Sequence, residues 1–199
     1  MFDLDRFMAD CRAALASDAP ELAVKEIVTR AVSRPSEVEA ALGTPREGGV
    51  RKLHHSPELT ILSLVWAPGM AIYPHDHRMW AVIGLYGGRE DNTFYRRSDR
   101  GLVSAGGRRL DGGDTVVLGP SVTHAVANPL RAFTGAIHVY GGDFFGTPRS
   151  EWPTEDGEEQ PYDIARAVQV FVDANARWCA ETERTLGLTA RSDADRPPG

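Results

Sequence analysis

Cysteine is nearly absent. Only Cys11 and Cys179 occur in 199 residues, too few and too far apart for a disulfide framework, so a reducing cytoplasm is expected. Lysine is scarce too: of 22 basic residues only Lys25 and Lys52 are lysines, set against 28 acidic residues and a net charge of −6. The acids are dispersed and no basic cluster stands out, which argues against nucleic acid as a partner. The excess of arginine fits a GC-rich bacterial genome and carries no mechanism. No run approaches the roughly 18 apolar residues of a membrane span. The opening Met1-Phe2-Asp3-Leu4-Asp5 lacks the basic and apolar regions of a secretory leader. Internal repeats, a phosphate-binding loop and a dinucleotide fingerprint are all missing. What remains is an ordinary globular composition, 42% hydrophobic and 25% charged, with enough length for one domain with a sizeable core.

The hydrophobic period divides the chain. In residues 1–45, Phe2, Leu4, Phe7, Met8, Cys11 and Leu15 recur at three- and four-residue steps, with Leu22, Ile27 and Val28 continuing after Pro20; this predicts N-terminal helices packed on a barrel. Pro35 opens another short helix that ends at Gly43. Over 46–146 the pattern changes to short branched runs such as Leu59–Trp66, broken by turns at Pro68-Gly69, Gly87-Gly88, Gly106-Gly107 and Asp111-Gly112-Gly113. The fold class is therefore mainly β, a jelly-roll barrel with N-terminal and C-terminal helices, a closed arrangement that hides strand edges. Residues 147–186 read as a Pro- and acid-rich loop followed by a helix. Its apolar stripe is Ile164, Ala167, Val168, Phe171, Val172, Ala176 and Cys179, suited to the barrel or a partner subunit in a monomer or homodimer. Residues 187–199 read as a disordered tail.

Pro74-His75-Asp76-His77 carries the chemistry. Residues two apart on a strand share a face, so His75 and His77 can close on one ion while Asp76 points away and is structural. A third histidine, His124, lies in Gly112-Gly113-Asp114-Thr115-Val116-Val117-Leu118-Gly119-Pro120-Ser121-Val122-Thr123-His124-Ala125-Val126-Ala127-Asn128. His-x-His followed by G-x5-G-P-x3-H-x3-N resembles the two-part motif of metal-binding cupins, whose double-stranded β-helix is the expected barrel. Many cupins add a glutamate three or four residues after the second histidine. Here Arg78–Gly84 offers none before Glu90, beyond the Gly87-Gly88 turn. The expected centre is three neutral imidazoles with open positions, suited to Fe2+, with Zn2+, Ni2+ and Mn2+ as alternatives.

Trp66–His77, followed by His77-Arg78-Met79-Trp80-Ala81-Val82-Ile83-Gly84, resembles the cysteine dioxygenase group of thiol dioxygenases, and within it the bacterial 3-mercaptopropionate dioxygenase type. The resemblance spans about residues 50 to 145. It implies a non-haem iron enzyme that oxidises a small thiol acid to a sulfinate with O₂, with Tyr140 beside the metal and His138 oriented on it. Ala136 stands where that family has serine, and no cysteine stands near Val82 to cross-link the tyrosine. The carboxylate clamp falls by gapped alignment on Arg51, with Lys52 as the other basic candidate there and Arg78 and Arg131 as further alternatives. Trp80 either packs between the sheets or faces the pocket and sets the size of the bound thiol. His54 and His55 read as strand-end residues beside a turn. Taken without the resemblance, His138 reads as a core histidine and Tyr140 as a core residue. The competing functions are another metal-dependent cupin enzyme (isomerase, lyase or carbon-oxidising dioxygenase) and a non-enzymatic small-ligand-binding cupin.

Overall fold

Strand and helix signals in the first 145 residues resolve into three helices followed by nine strands. The computed structural model describes residues 1–99 and 101–194, with side chains to residue 186. Helices α1 (Leu4–Ala14), α2 (Pro20–Val32) and α3 (Pro35–Leu42) precede β1 (Gly49–His55), β2 (Thr60–Trp66), β3 (Ala71–Asp76), β4 (Ala81–Gly87), β5 (Arg89–Ser98), β6 (Gly101–Asp111), β7 (Thr115–Leu118), β8 (Thr123–Ala127) and β9 (Thr134–Tyr140). Two-residue strands β10 (Ser150–Glu151) and β11 (Gln160–Pro161) and helix α4 (Ile164–Ala194) complete the chain. Asp3 caps α1 by accepting from the Arg6 amide, and Pro20 and Pro35 open α2 and α3, where a missing N–H costs nothing.

Two antiparallel sheets face each other, one ordered β1-β2-β9-β4-β7 and the other β11-β10-β3-β8-β5-β6. This is a cupin-type double-stranded β-helix. Leu62, Leu64, Trp66, Ile83, Leu85, Ala136 and Tyr140 line its interior. Alternating with them, Ile61, Val82, Tyr86, Ile137 and Val139 face outward, where Phe7, Cys11, Val24, Val28 and Val32 of the helices cover them. The five-stranded sheet is thus buried on both faces, which is why its central strands read as almost continuous apolar runs. Gly84 is needed where α2 crosses β4, because a Cβ there would stand 2.4 Å from Val28 Cγ1.

Two expectations about the C-terminal third need correction. The 147–161 loop is a strap that adds β10 and β11 to the edge of the six-stranded sheet: Glu151 pairs with His75, and the Trp152 amide donates to the Pro74 carbonyl at 2.8 Å. Its acidic composition masked a role in which Glu151 and Trp152 are buried. Helix α4 runs to Ala194, past residue 187, since no proline interrupts the chain until Pro197. Residues 195–199 of the expected tail lie outside the described residues. The apolar stripe of α4 also splits: Ala167, Phe171 and Ala174 are buried, Phe171 stacking on Trp66 at 5.5 Å, whereas Ile164, Val168 and Val172 are exposed. Among the described residues no helix is long and apolar enough to cross a membrane.

Candidate metal centre

Strand pairing builds the site. In the β3–β8 ladder His75 stands directly opposite His124, after a bulge between Ile72 and His75, and directly paired side chains lie roughly 5 Å apart. The two rings are centred 4.8 Å apart. His77 leaves the end of β3 on the same side, with its ring 5.1 Å from that of His75 and 5.0 Å from that of His124. One donor nitrogen from each lies within 4.8 Å of the other two, and all three histidines are buried.

The donor set fits a metal. His77 Nε2 and His124 Nε2 are 3.4 Å apart, the separation of two nitrogens at tetrahedral angles about an ion roughly 2.1 Å from each. The Nδ1 atoms are engaged elsewhere: His75 Nδ1 donates to the Tyr73 carbonyl at 3.0 Å and His124 Nδ1 to Asn92 Oδ1 at 2.7 Å. That leaves Nε2 of both as the free lone pair, the arrangement outer partners enforce on metal-ligating histidines. Burial depresses the basicity of all three, His75 to about 4 and the other two well below the ordinary value, so they stay neutral and able to ligate at physiological pH.

Beside the triad stands Tyr140. Its ring meets that of His77 edge-on at 5.0 Å, and its hydroxyl shares a hydrogen bond with His138 Nδ1 at 3.0 Å. Both residues are buried on the inner face of β9, with Ala136 two positions earlier. Burial raises the phenol well above its ordinary value and lowers His138 to about 3. The pair is thus a neutral phenol against a neutral imidazole. Glu90, the carboxylate beyond the turn, sits behind this face rather than among the ligands, 3.8 Å from His138 Nε2.

Arg51 and Trp80 are not in the site. Arg51 pairs with Ser63 and shares the outer face of the sheet with Ser63 and Tyr86, because strand alternation sends it opposite to the inward row of Leu62 and Leu64. Trp80 shares the parity of Val82, packs with the helix-facing core and lies over Gly141, where a Cβ would meet the indole. Arg78 donates to Asp76 at 2.7 Å, and Arg131 pairs with Glu181 at the surface. His55 pairs with Asp143 at the outer end of β1.

The sequence reading missed Arg149. The strap carries it into the site, where it is only 6% exposed. Its guanidinium lies 4.0 Å from the ring centres of both Phe144 and Tyr162, and it donates to the Phe144 carbonyl. Phe144 packs on Tyr140 at 4.3 Å and Tyr162 on His75 at 5.8 Å, so the charge is one ring away from the triad. It lowers the basicity of His75 and His77. Among the described residues no carboxylate pairs with it, and Nε and Nη2 have no hydrogen-bond partner. Buried arginines are normally paired. Asp76 fixes the strap: Oδ1 accepts from the Ser150 amide at 2.8 Å, and Oδ2 from Arg78 and Arg97, each at 2.7 Å. Arg78 holds a left-handed φ of 57°. Asp76 is structural, as its strand parity indicated.

No family model matches the sequence. Among solved structures, an RmlC-like cupin family protein of Methanocaldococcus jannaschii with a double-stranded β-helix fold aligns over 51% of this chain and 85% of its own, at 15% identity and a TM-score of 0.43. A Cupin 2 conserved barrel domain protein from Salinispora arenicola aligns over 46% and 72%, at 22% identity and a TM-score of 0.38. An oxalate oxidase in complex with the substrate analogue glycolate aligns over 50% and 53%, at 17% identity and a TM-score of 0.41. The chain's own strand order and histidine triad define it as a cupin-type barrel with a candidate three-histidine metal centre.

Proposed function

We propose that the protein is a non-haem iron dioxygenase that converts a small carboxylated thiol to its sulfinate, R–SH + O₂ → R–SO₂H. The observation that carries this reading is Arg149, a buried guanidinium with unpartnered nitrogens beside three neutral imidazoles. Iron(II) on His75, His77 and His124 would supply the activation of O₂. With no protein carboxylate among the ligands, an anionic thiolate is the natural counter-charge at the centre.

Arg149 would hold the substrate carboxylate through its planar fork, and the rings of Phe144 and Tyr162 keep that fork oriented. Tyr140, oriented by the hydrogen bond it shares with His138, would hydrogen-bond the substrate sulfur. The nearby carboxylates are already engaged: Asp76 with two arginines, Glu151 with Arg166 and the Asp163 amide, and Glu90 with Trp66 and Asn92. Of these oxygens Glu151 Oε1 accepts no hydrogen bond, but Arg166 already faces it at 3.2 Å, so an α-ammonium group would have to compete with that arginine, which favours a thiol acid such as 3-mercaptopropionate over cysteine. Oxygen uptake by the iron-loaded protein should be fastest with 3-mercaptopropionate or mercaptosuccinate and slow with cysteine and cysteamine. No uptake with any of the four would assign the triad to another cupin reaction.

A further inference from the structure

One hydrogen-bond chain that begins at the metal centre ends on a buried carboxylate, and a second stops 3.8 Å short of the same group. On one side His124, with Nε2 committed to the metal, must carry its proton on Nδ1 and donate to Asn92 Oδ1 at 2.7 Å. Asn92 Nδ2 then donates to Glu90 Oε1 at 2.9 Å. On the other side the Tyr140 hydroxyl and His138 Nδ1 share a hydrogen bond at 3.0 Å, and a proton on His138 Nε2 would leave Nδ1 free to accept it. That Nε2 has no hydrogen-bond partner among the described residues, and the polar atom it faces is Glu90 Oε2, 3.8 Å away. Trp66 Nε1 donates to the same oxygen at 3.0 Å. Ala136, His138's neighbour on that face, has no polar group to offer.

Asn92 and Trp66 therefore donate to Glu90 and His138 Nε2 stands 3.8 Å from it, and Glu90 is fully buried. A carboxylate is the side chain that can accept all three, having two oxygens and no proton to place. We infer that Glu90 is a positioning residue for both halves of the centre: it fixes the tautomer of His138, and hence the direction of the Tyr140 hydrogen bond, and through Asn92 it fixes the ring of His124. Burial raises its pKa to about 7, against the opposing pull of the Asn92 and Trp66 hydrogen bonds; a dication on His124 favours the ionised, accepting form. The inference rests on the metal centre and on Tyr140 as proposed above, and not on which thiol is oxidised.

The test reads protons and metal rather than turnover. In zinc-loaded protein with ¹⁵N-labelled histidine, long-range proton–nitrogen correlation spectra should show His138 protonated on Nε2 and His124 on Nδ1. In Glu90→Gln the amide offers one acceptor oxygen to three donors, so His138 should lose the pure Nε2–H form and the zinc Kd should rise by about 10- to 100-fold, the usual effect of removing an outer partner of a ligand. Glu90→Leu, which fills the space without accepting, should do the same. A purely space-filling Glu90 would change thermal stability while leaving tautomers and zinc affinity as they were. His138 protonated on Nδ1 in the wild type would overturn the inference, and that measurement stands even if the variants do not fold. So would unchanged tautomer and affinity in both variants. Neither readout involves a thiol or O₂, so failure of the dioxygenase reading would leave them intact.

Discussion

Replacing Arg149 by methionine separates substrate recognition from architecture. In the folded protein the guanidinium gains cation–π contact with Phe144 and Tyr162 and one hydrogen bond to the Phe144 carbonyl. These are worth about 1–2 kcal/mol per ring and about 1.5–3 kcal/mol for the bond. Against them stands the cost of a buried charge with no anion, several kcal/mol even after relaxation. The terms nearly cancel, so Arg149→Met should change unfolding free energy by no more than about 2 kcal/mol in either direction. Losing one partner of a desolvated ion pair with substrate costs about 2–5 kcal/mol, or about 30- to 4,000-fold at 1.4 kcal/mol per tenfold. The pair exists in both ground and transition states, so the loss should fall mainly on KM. Oxygen uptake against 3-mercaptopropionate concentration measures it, with cysteamine, which has no carboxylate, as the internal control. An equal fall for both thiols, or an unchanged KM for the acid, would refute the assignment of Arg149 as the carboxylate anchor.

Tyr140→Phe should lower kcat by about 10- to 1,000-fold, about 1.4–4 kcal/mol, while metal content stays normal; full activity would remove Tyr140 from the chemistry. Asp76→Asn removes one anion that Arg78 and Arg97 share, but both keep Glu159 and are partly exposed, so it should cost about 1–3 kcal/mol in a denaturant melt, the range for a lost hydrogen bond to a charged group. The metal-free protein should lose stability on acidification. His75 and His138 have folded values of about 4 and about 3, below the ordinary 6.5, so the unfolded state binds protons first. Each costs about 2 kcal/mol between pH 7 and pH 5. Glu90, raised to about 7, works the other way by a similar amount. With His77 and His124 also lowered, the histidines outnumber it four to one. Urea melts at the two pH values check the sign, and equal or greater stability at pH 5 would contradict it.

The barrel and the triad were legible because they arise from period. Alternation set the inward row of Ala136, His138 and Tyr140, and the two-residue step set His75 and His77 on one side with Asp76 on the other. Arg149 was hidden because its partners are not local. The strap between Thr147 and Pro161 has the composition of a loop, and only its docking on β3 carries the arginine between Phe144 and Tyr162. Arg51 looked attractive because arginine suits the role, but Ser63, its partner in the ladder, faces the helices. Trp80 was misplaced through the same parity, since Val82, two residues on, packs under α2. Glu90 was weighed only as a ligand: a carboxylate that accepts from Trp66 on a distant strand and from Asn92 on its own leaves no spacing signature.

The most direct measurement is the product formed from isotopically labelled O₂ and 3-mercaptopropionate by the anaerobically iron-loaded protein. The expected product is the sulfinate, with both oxygen atoms from one labelled O₂ on the sulfur and one O₂ consumed per thiol. Disulfide, a product carrying water-derived oxygen, or no turnover at a full iron centre would contradict a thiol dioxygenase.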